Sequence, residues 1–566
     1  MLLVESPERK MKIMTAPMID WEPMLPSDPF AISRVWKVVA SAGAGKSYSL
    51  RKVILDLIES SVPPEKIMYL IYNKNPAAEF RATLESMNID PKRMPWIGTH
   101  HSIARRLLGV SRDKILTGKK LKEWGKENGF PFSAVEDDPD CGATIWDETL
   151  RTLNLKLADC DDRLDPYERK LLAAFRLSEL DGFYTHDRYL EKAIRLNLIP
   201  KDVEYVLFDE SQDNNRLQFG YINYLKTQSH LKGIMLAGDD KQAINIYRGG
   251  RPNLFFDFEA DRYVCLGKTF RNPSTILSYA NNIAGPIRGR SPLTSETDQI
   301  DPGKVELFSE LEDAVQKIKE DIRAGLSVFL LSRLNEYKYR AMGILRQHGV
   351  PIQSKSYDNM KKVFKAMRVL ADKFHLQGYF TFEDLLPVLP QEETESGELN
   401  RTAYWKRGAL KKFQTGEYSL DKDKEIDLRV EYEMFVAGET KSDEVDFEAF
   451  GFLPQFLVDI MKTRDGIVPK GVWRGMSPED VDYVQRIIQN FGVDSSSVWP
   501  STIHGAKGAE CDVAVILTNI NYATRNTEEE DPDAERRVYY TAVTRARKKV
   551  YITAIWESRG LYTELL

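Results

Sequence analysis

The stretch Ala40–Ser47, ASAGAGKS, constrains this chain more than any other feature. It follows a short apolar, β-branched run, Val35–Ala40 (VWKVVA), and precedes a helical pattern, YSLRKVILDLIES. A strand, a Gly-rich turn, Lys-Ser and a helix in that order form a phosphate-binding loop. Gly43 and Gly45 let backbone N–H groups approach phosphate oxygens, and the helix N-terminus adds a favourable dipole. Lys46 is placed to reach the β- and γ-phosphates, and Ser47 to ligate Mg²⁺. The nucleotide cradle is therefore expected to run through Ala42, Gly43, Ala44, Gly45, Lys46, Ser47 and Tyr48. Ala40 stands where the strict pattern has its first glycine.

Such a loop needs a sheet behind it. Ile67–Tyr72, Tyr205–Phe208, Gly233–Ala237, Val328–Leu331 and Val513–Leu517 are further continuous apolar runs, separated by helical patterns. Runs of that kind indicate parallel strands covered on both faces, so the predicted class is α/β. Asp209 and Glu210 follow the run YVLF directly, giving LFDESQD. A carboxylate at a strand's C-terminal end can hold Mg²⁺, and its neighbour can orient or deprotonate a water. With the glycine loop upstream, this predicts in-line hydrolysis of the γ-phosphate of ATP, with ATP and Mg²⁺ as the required small molecules.

Composition narrows the rest. A length of 566 residues predicts three to five domains or subdomains. Only Cys141, Cys160, Cys265 and Cys511 occur, with no CxxC pair, which argues against a disulfide scaffold, a zinc finger or an iron–sulfur site. The net charge of -6 excludes an overall polycation but not a local basic track. No apolar run approaches the ~20 residues that cross a bilayer, and the N-terminus is charged where a signal peptide would be apolar. A soluble protein of a reducing compartment, without a membrane partner, is expected. Residues 1–30 read as a loose tail. Residues ~106–200 and ~356–495 break the strand–helix rhythm, with an acidic turn at Glu136–Asp140 and polar loops at Gln391–Asn400 and Gly438–Asp446. Thr527–Asp533 (TEEEDPD) reads as a solvated acidic loop.

Along most of its length the chain resembles superfamily 1A DNA helicases of the UvrD/Rep/PcrA type. ASAGAGKS resembles motif I, LIYNKNPAAEF motif Ia, GTHHSIARRLL motif Ib and VLFDESQD motif II. GDDKQAINIYRGG resembles motif III, KTFRNPSTIL the family's NYRS segment, and LLSRLNEYKYRAMGILRQHGVPI motif IV. STIHGAKGAECDVAVIL resembles motif V, and ERRVYYTAVTRARKKVYI motif VI. The motifs occur in the family's order.

The resemblance implies two RecA-like parallel-sheet cores, each with an inserted, mostly helical subdomain. Core 1A would take residues 31–105 and 201–275, with a 1B-like insertion at 106–200. Core 2A would take 276–355 and 496–566, with a 2B-like insertion at 356–495. It implies that Lys46, Asp209, Glu210, Gln242, Arg271 and Arg545 carry out hydrolysis. Gln242 would sense the γ-phosphate, and both arginines would reach it as the cores close. Phe270, where the family has tyrosine, would stack on adenine, and Glu510 would contact the ribose. The family's glutamine motif has no counterpart in Ser27–Lys37. Thr99, His101, Tyr247, Arg248, Thr502 and His504 match positions that contact DNA. The implied activity is 3'→5' movement on single-stranded DNA, with single-stranded DNA and single-strand/duplex junctions as partners and RNA left open as a substrate. Protein displacement without strand separation, or service as the motor of a nuclease or defence complex, uses the same motifs. A loading protein or nuclease partner is compatible with either, as is action in a cytoplasm, nucleoid-associated or virus-encoded.

Overall fold

The computed structural model describes residues 18–20, 29–72, 74–133, 144–288, 295–353, 355–377, 379–381, 425–427, 461–465, 478–492 and 495–556. Strands are numbered along the chain. The first seven are β1 (Met18–Asp20), β2 (Val35–Ala40), β3 (Ile67–Leu70), β4 (Ile97–Gly98), β5 (Tyr205–Phe208), β6 (Gly233–Gly238) and β7 (Arg262–Leu266). They form one sheet in the order β1-β7-β2-β6-β5-β3-β4, with every pairing parallel. Then come β8 (Lys304–Leu307), β9 (Val328–Ser332), a separate antiparallel pair β10 (Tyr379–Thr381) and β11 (Glu425–Asp427), and β12 (Val498–Thr502), β13 (Cys511–Leu517) and β14 (Ala546–Thr553). A second all-parallel sheet has the order β12-β9-β13-β14-β8.

The apolar runs dictate this arrangement. Every residue of β3, β5 and β6 is buried, as a strand with helices over both faces must be. Alternate side chains feed two cores on the first sheet. Val206, Phe208, Ile234 and Leu236 pack on one face, and Tyr205, Leu207, Met235 and Ala237 on the other. The second sheet divides the same way, with Leu331, Ala514 and Ile516 on one face and Leu330, Val513 and Val515 on the other. Each fully buried aliphatic or aromatic side chain contributes about 1.5–3 kcal/mol. A fifth core, holding Leu121, Phe130, Trp146, Leu153, Leu171 and Phe175, belongs to the helices at 118–128, 145–158 and 166–180. Two of these helices start with reciprocal capping boxes, Thr144 with Asp147 and Asp165 with Glu168.

Three expectations need correcting. Residues 18–20, read as tail, form edge strand β1, which pairs in parallel with β7. The acidic Thr527–Asp533 is not a loop. It ends the helix Tyr522–Glu530 and starts the helix Pro532–Val543, where Asp531 accepts the Ala534 N–H as N-cap. Carboxylates are stabilised at that position by the exposed first-turn amides. The run Ile67–Tyr72 is a strand only as far as Leu70. Glu136–Asp140, Gln391–Asn400 and Gly438–Asp446 lie outside the described residues.

Because the first sheet is all parallel, the C-terminal ends of β2, β5, β6 and β7 open on one edge. That edge receives the glycine loop, Asp209, Asp239 and Arg271. The N-terminal ends of β13 and β14 in the second sheet carry Glu510 and Arg545 to the same place.

Candidate nucleotide and nucleic-acid site

The glycine loop holds its shape through two left-handed residues, Gly43 (φ 70°) and Gly45 (φ 78°). Gly45 is the N-cap of the helix Lys46–Glu59 and offers the first-turn amides no side chain, leaving that end suited to an anion. Gly43 is required a second time by packing. A Cβ there would lie 2.5 Å from Arg271 Cβ and 2.6 Å from Thr269 Oγ1. The Phe270 N–H donates to the Gly43 carbonyl at 3.0 Å. The segment after β7 is thus stitched onto the loop.

Opposite the loop stand the two carboxylates. Lys46 Nζ donates to Glu210 Oε1 at 2.6 Å and lies 3.8 Å from Asp209 Oδ1. Ser47 Oγ donates to Asp209 Oδ2 at 2.6 Å, and the Tyr69 hydroxyl reaches the same oxygen at 3.2 Å. Burial pushes the Asp209 carboxyl up despite Lys46. Burial acts the same way on Glu210, but Lys46 and Lys507 outweigh it and hold that carboxyl well below the usual range. Burial also disfavours the Lys46 ammonium, yet Glu210 and Asp209 leave it more basic than usual. Asp239 rises to about 6 through burial and its neighbour Asp240. Glu210 has a left-handed backbone (φ 53°, ψ 38°), which costs a non-glycine residue about 1 kcal/mol or more.

Ser47 and Asp209 offer one hydroxyl and one carboxylate at a single point beside Lys46. Among the described residues no group of three metal-ligating side chains occurs. Two hard oxygen donors suit Mg²⁺, which takes few protein ligands and completes its shell with phosphate oxygens and water.

Residues from the second sheet complete the site. Arg545, 1% exposed, donates from Nη2 to Gln242 Oε1 at 2.7 Å, and Gln242 Nε2 donates to Asp239 Oδ2 at 2.8 Å. Further donations to the Thr541 and Ala509 carbonyls fix the guanidinium. Burial, with Arg271 nearby, lowers its pKa to about 9. Arg271 Nε donates to Glu510 Oε2 at 2.8 Å, and Arg547 Nη1 reaches Glu510 Oε1 at 3.3 Å. Glu510 is therefore engaged by two guanidiniums. Phe270 and Tyr48 are exposed beside the loop.

Sequence reasoning missed several members of this cluster. Lys507 donates to Asp213 and, at 2.7 Å, to the Gln242 carbonyl. Arg537 Nε donates to the Asp240 carbonyl at 3.0 Å, and near His504 Arg333 forms a forked pair with Glu535. Each of these residues lies within a segment quoted above. Their partners are about 200–300 residues away, and nothing local to either residue names the other.

The residues matched to DNA contacts adjoin one another, since Arg248 acts on Asp187, the carboxylate that His101 faces. Tyr247, 54% exposed, meets the His504 ring edge-to-face at 5.2 Å, with the Arg248 guanidinium over Tyr247. His504 Nε2 pairs with the Ile244 carbonyl, and burial lowers its pKa to about 4. His101 Nε2 lies 3.9 Å from Asp187 Oδ1 and stands edge-on to His186 and Tyr189. Thr99 caps the helix His100–Leu107 by accepting the Ser102 N–H, and Thr502 accepts the Gly505 N–H. Both threonines hold local turns.

Two family models match this sequence. The UvrD/REP helicase N-terminal domain covers residues 29–128 and 147–262, and the UvrD-like helicase C-terminal domain covers 497–553. Among curated relatives, YjcD of Bacillus subtilis is 24% identical, aligned over 92% of this chain and 77% of its own length. A Staphylococcus aureus protein named ATP-dependent DNA helicase PcrA is 22% identical over 91% of this chain and 80% of its own. A DNA helicase II homolog of Rickettsia conorii is 24% identical over 94% and 91%. With two parallel-sheet lobes meeting at the glycine loop and matches in both halves, the chain is similar to UvrD-like helicases along most of its length.

Proposed function

We propose that this chain is an ATP-dependent DNA helicase that moves 3'→5' along single-stranded DNA. The observation that carries the reading is the bond from Arg545, beside the second sheet, to Gln242 beside the first, next to the Lys46–Glu210 pair. A phosphate cleft built from two lobes makes hydrolysis depend on how they sit. That dependence is what a motor needs.

In this reading the glycine-loop amides and Lys46 hold the β- and γ-phosphates, and Lys46 exchanges Glu210 for them. Ser47 and Asp209 would hold Mg²⁺, which would neutralise charge on the phosphates. Glu210 orients the attacking water and accepts its proton. Arg545 and Arg271 stabilise the equatorial charge of the transition state, a role for which a permanently charged fork is suited. Phe270 stacks on the base. Glu510 reaches the ribose once Arg271 turns to phosphate. Thr99, His101, Arg248, Thr502 and His504 line the strand's path, and Tyr247 stacks on bases without regard to sequence. Single-stranded DNA and its junctions with duplex are the partners.

The polarity rests on the TIHGAKGAE form of the segment Thr502–Glu510, which resembles the 3'→5' branch. Strand displacement with 3'-tailed and 5'-tailed duplexes tests it. Unwinding of the 3'-tailed substrate is expected, and activity confined to the 5' tail overturns the polarity. ATP turnover that single-stranded DNA fails to stimulate overturns the motor reading itself.

A further inference from the structure

The short 3₁₀ turn Ile246–Arg248 carries Tyr247, and little of its own chain stiffens it. The Arg248 and Gly250 N–H groups both donate to the Asn245 carbonyl, at 3.0 and 3.1 Å. Two glycines follow the turn, and packing requires both. Gly249 is left-handed (φ 90°), and a Cβ on Gly250 would lie 2.9 Å from the Asn245 carbonyl oxygen. Glycine brings no side chain with which to anchor itself. The Tyr247 ring is 54% exposed, so its direction follows the backbone that bears it.

The anchor comes from the helical stretch between β4 and β5. Gly249 lies against the end of the helix Ile145–Ala158, where a Cβ would sit 3.4 Å from Ala158 Cβ and 3.8 Å from Leu155 Cδ2. Asp159 is the C-cap of that helix. Arg251, just past the glycines, donates from Nε to Asp159 Oδ1 at 2.9 Å and from Nη2 to Asp159 Oδ2. Its N–H donates to the Asn214 carbonyl at 2.9 Å, which ties the same residue to the first lobe. A single exposed ion pair would count for little. This one is a two-bond fork between partly buried groups, and a planar fork fixes direction as well as distance. On the other flank of the turn, Arg248 acts on Asp187 in the helix His186–Arg195.

We infer that Asp159 is a positioning residue for strand binding. By forking Arg251 it holds the Gly249–Gly250 link from outside and sets the direction in which Tyr247 offers its ring to a base. The helix Ile145–Ala158 acts on the strand through Tyr247. This rests on the reading above of Tyr247 as a stacking surface.

The test uses the full chain. Affinity is read by anisotropy with a labelled oligothymidylate. Stacking is read with oligothymidylates carrying one 2-aminopurine at stepped positions, whose emission falls when that base stacks. Asp159→Asn removes the charge and keeps the size, and Arg251→Gln breaks the fork from the other side. Each should weaken oligothymidylate binding by about fivefold or more and relieve part of the 2-aminopurine quench, with affinity for a fluorescent ATP analogue within about twofold of the parent. In a Tyr247→Ala background, adding Asp159→Asn should cost less than about twofold, because the ring it aims is gone. The inference is overturned if Asp159→Asn binds the oligonucleotide as the parent does, or if the quench is unchanged. It is overturned equally if the loss is as large without Tyr247 as with it, which is the mark of a merely structural role. A Tyr247→Ala variant that binds as the parent does would instead sink the stacking reading, so the two failures are distinguishable.

Discussion

The nucleotide cleft and the Tyr247–His504 surface are two kinds of polar site in one molecule. In the cleft, Lys46, Asp209, Glu210, Asp213, Lys507 and Arg545 form a dense, largely buried set of charges, each paired with another member or with a backbone carbonyl. At the other surface Tyr247 is half exposed, and the histidine against it is kept neutral by burial. In the proposed function the difference follows from what each would bind. A triphosphate has fixed charges at fixed spacing, and fixed counter-charges in a poorly solvated site serve it well. A strand that must slide requires contacts that any base satisfies, which ring faces supply.

Lys46→Ala puts the comparison under the largest strain. It removes the phosphate-pairing ammonium from a loop otherwise built of backbone. ATP turnover should fall about 10³-fold or more, with the circular dichroism spectrum retained. Near-normal hydrolysis would mean that the cleft does not do the chemistry. Arg545→Ala should lower kcat by about 10²–10³-fold, with a smaller change in nucleotide affinity. An effect confined to DNA affinity would move that arginine to the other site. Tyr247→Ala tests the second surface. Loss of one stacking platform, worth about 1–3 kcal/mol, should weaken oligothymidylate binding by roughly 5- to 150-fold, read by fluorescence anisotropy. A change in affinity for the ATP analogue alone would erase the distinction between the two regions.

The smallest effect concerns stability. Burial lowers the pKa of His100 to about 3, and its ring stacks on Phe208 behind the Asp209–Glu210 turn. The unfolded chain binds that proton near pH 6.5 and the folded chain does not. Its contribution is therefore complete above pH 6.5 and is lost as pH falls toward 3. His100→Phe should flatten the drop in Tm between pH 6.5 and 4.5. An unchanged slope would mean that the acid sensitivity originates elsewhere.

How legible these features were depended on the length scale of their cause. The central strands β2, β5 and β6 could be read because both faces are covered and the apolar run is continuous. Strands β8, β12 and β14 could not. KVEL is a partly exposed edge, VWPST carries Pro500 on an edge strand, and in ARKKVYIT three basic residues, Arg547 to Lys549, follow the buried Ala546 and turn out of the core. Lys46, Ser47, Asp209 and Glu210 could be read because glycine loops and strand-end carboxylates act within a few residues.

Left-handed turns, a helix end free for an anion and carboxylates beyond an apolar strand are local consequences of side-chain size and backbone sterics, and the sequence alone determined them. Which cation faces which carboxylate is a different matter. Lys507 meets Asp213, and Arg545 meets Gln242, only because the turns at the strand ends of the two sheets come together. Coulombic pairing at about 3 Å depends on where the chain returns, and no stretch of residues encodes that by itself.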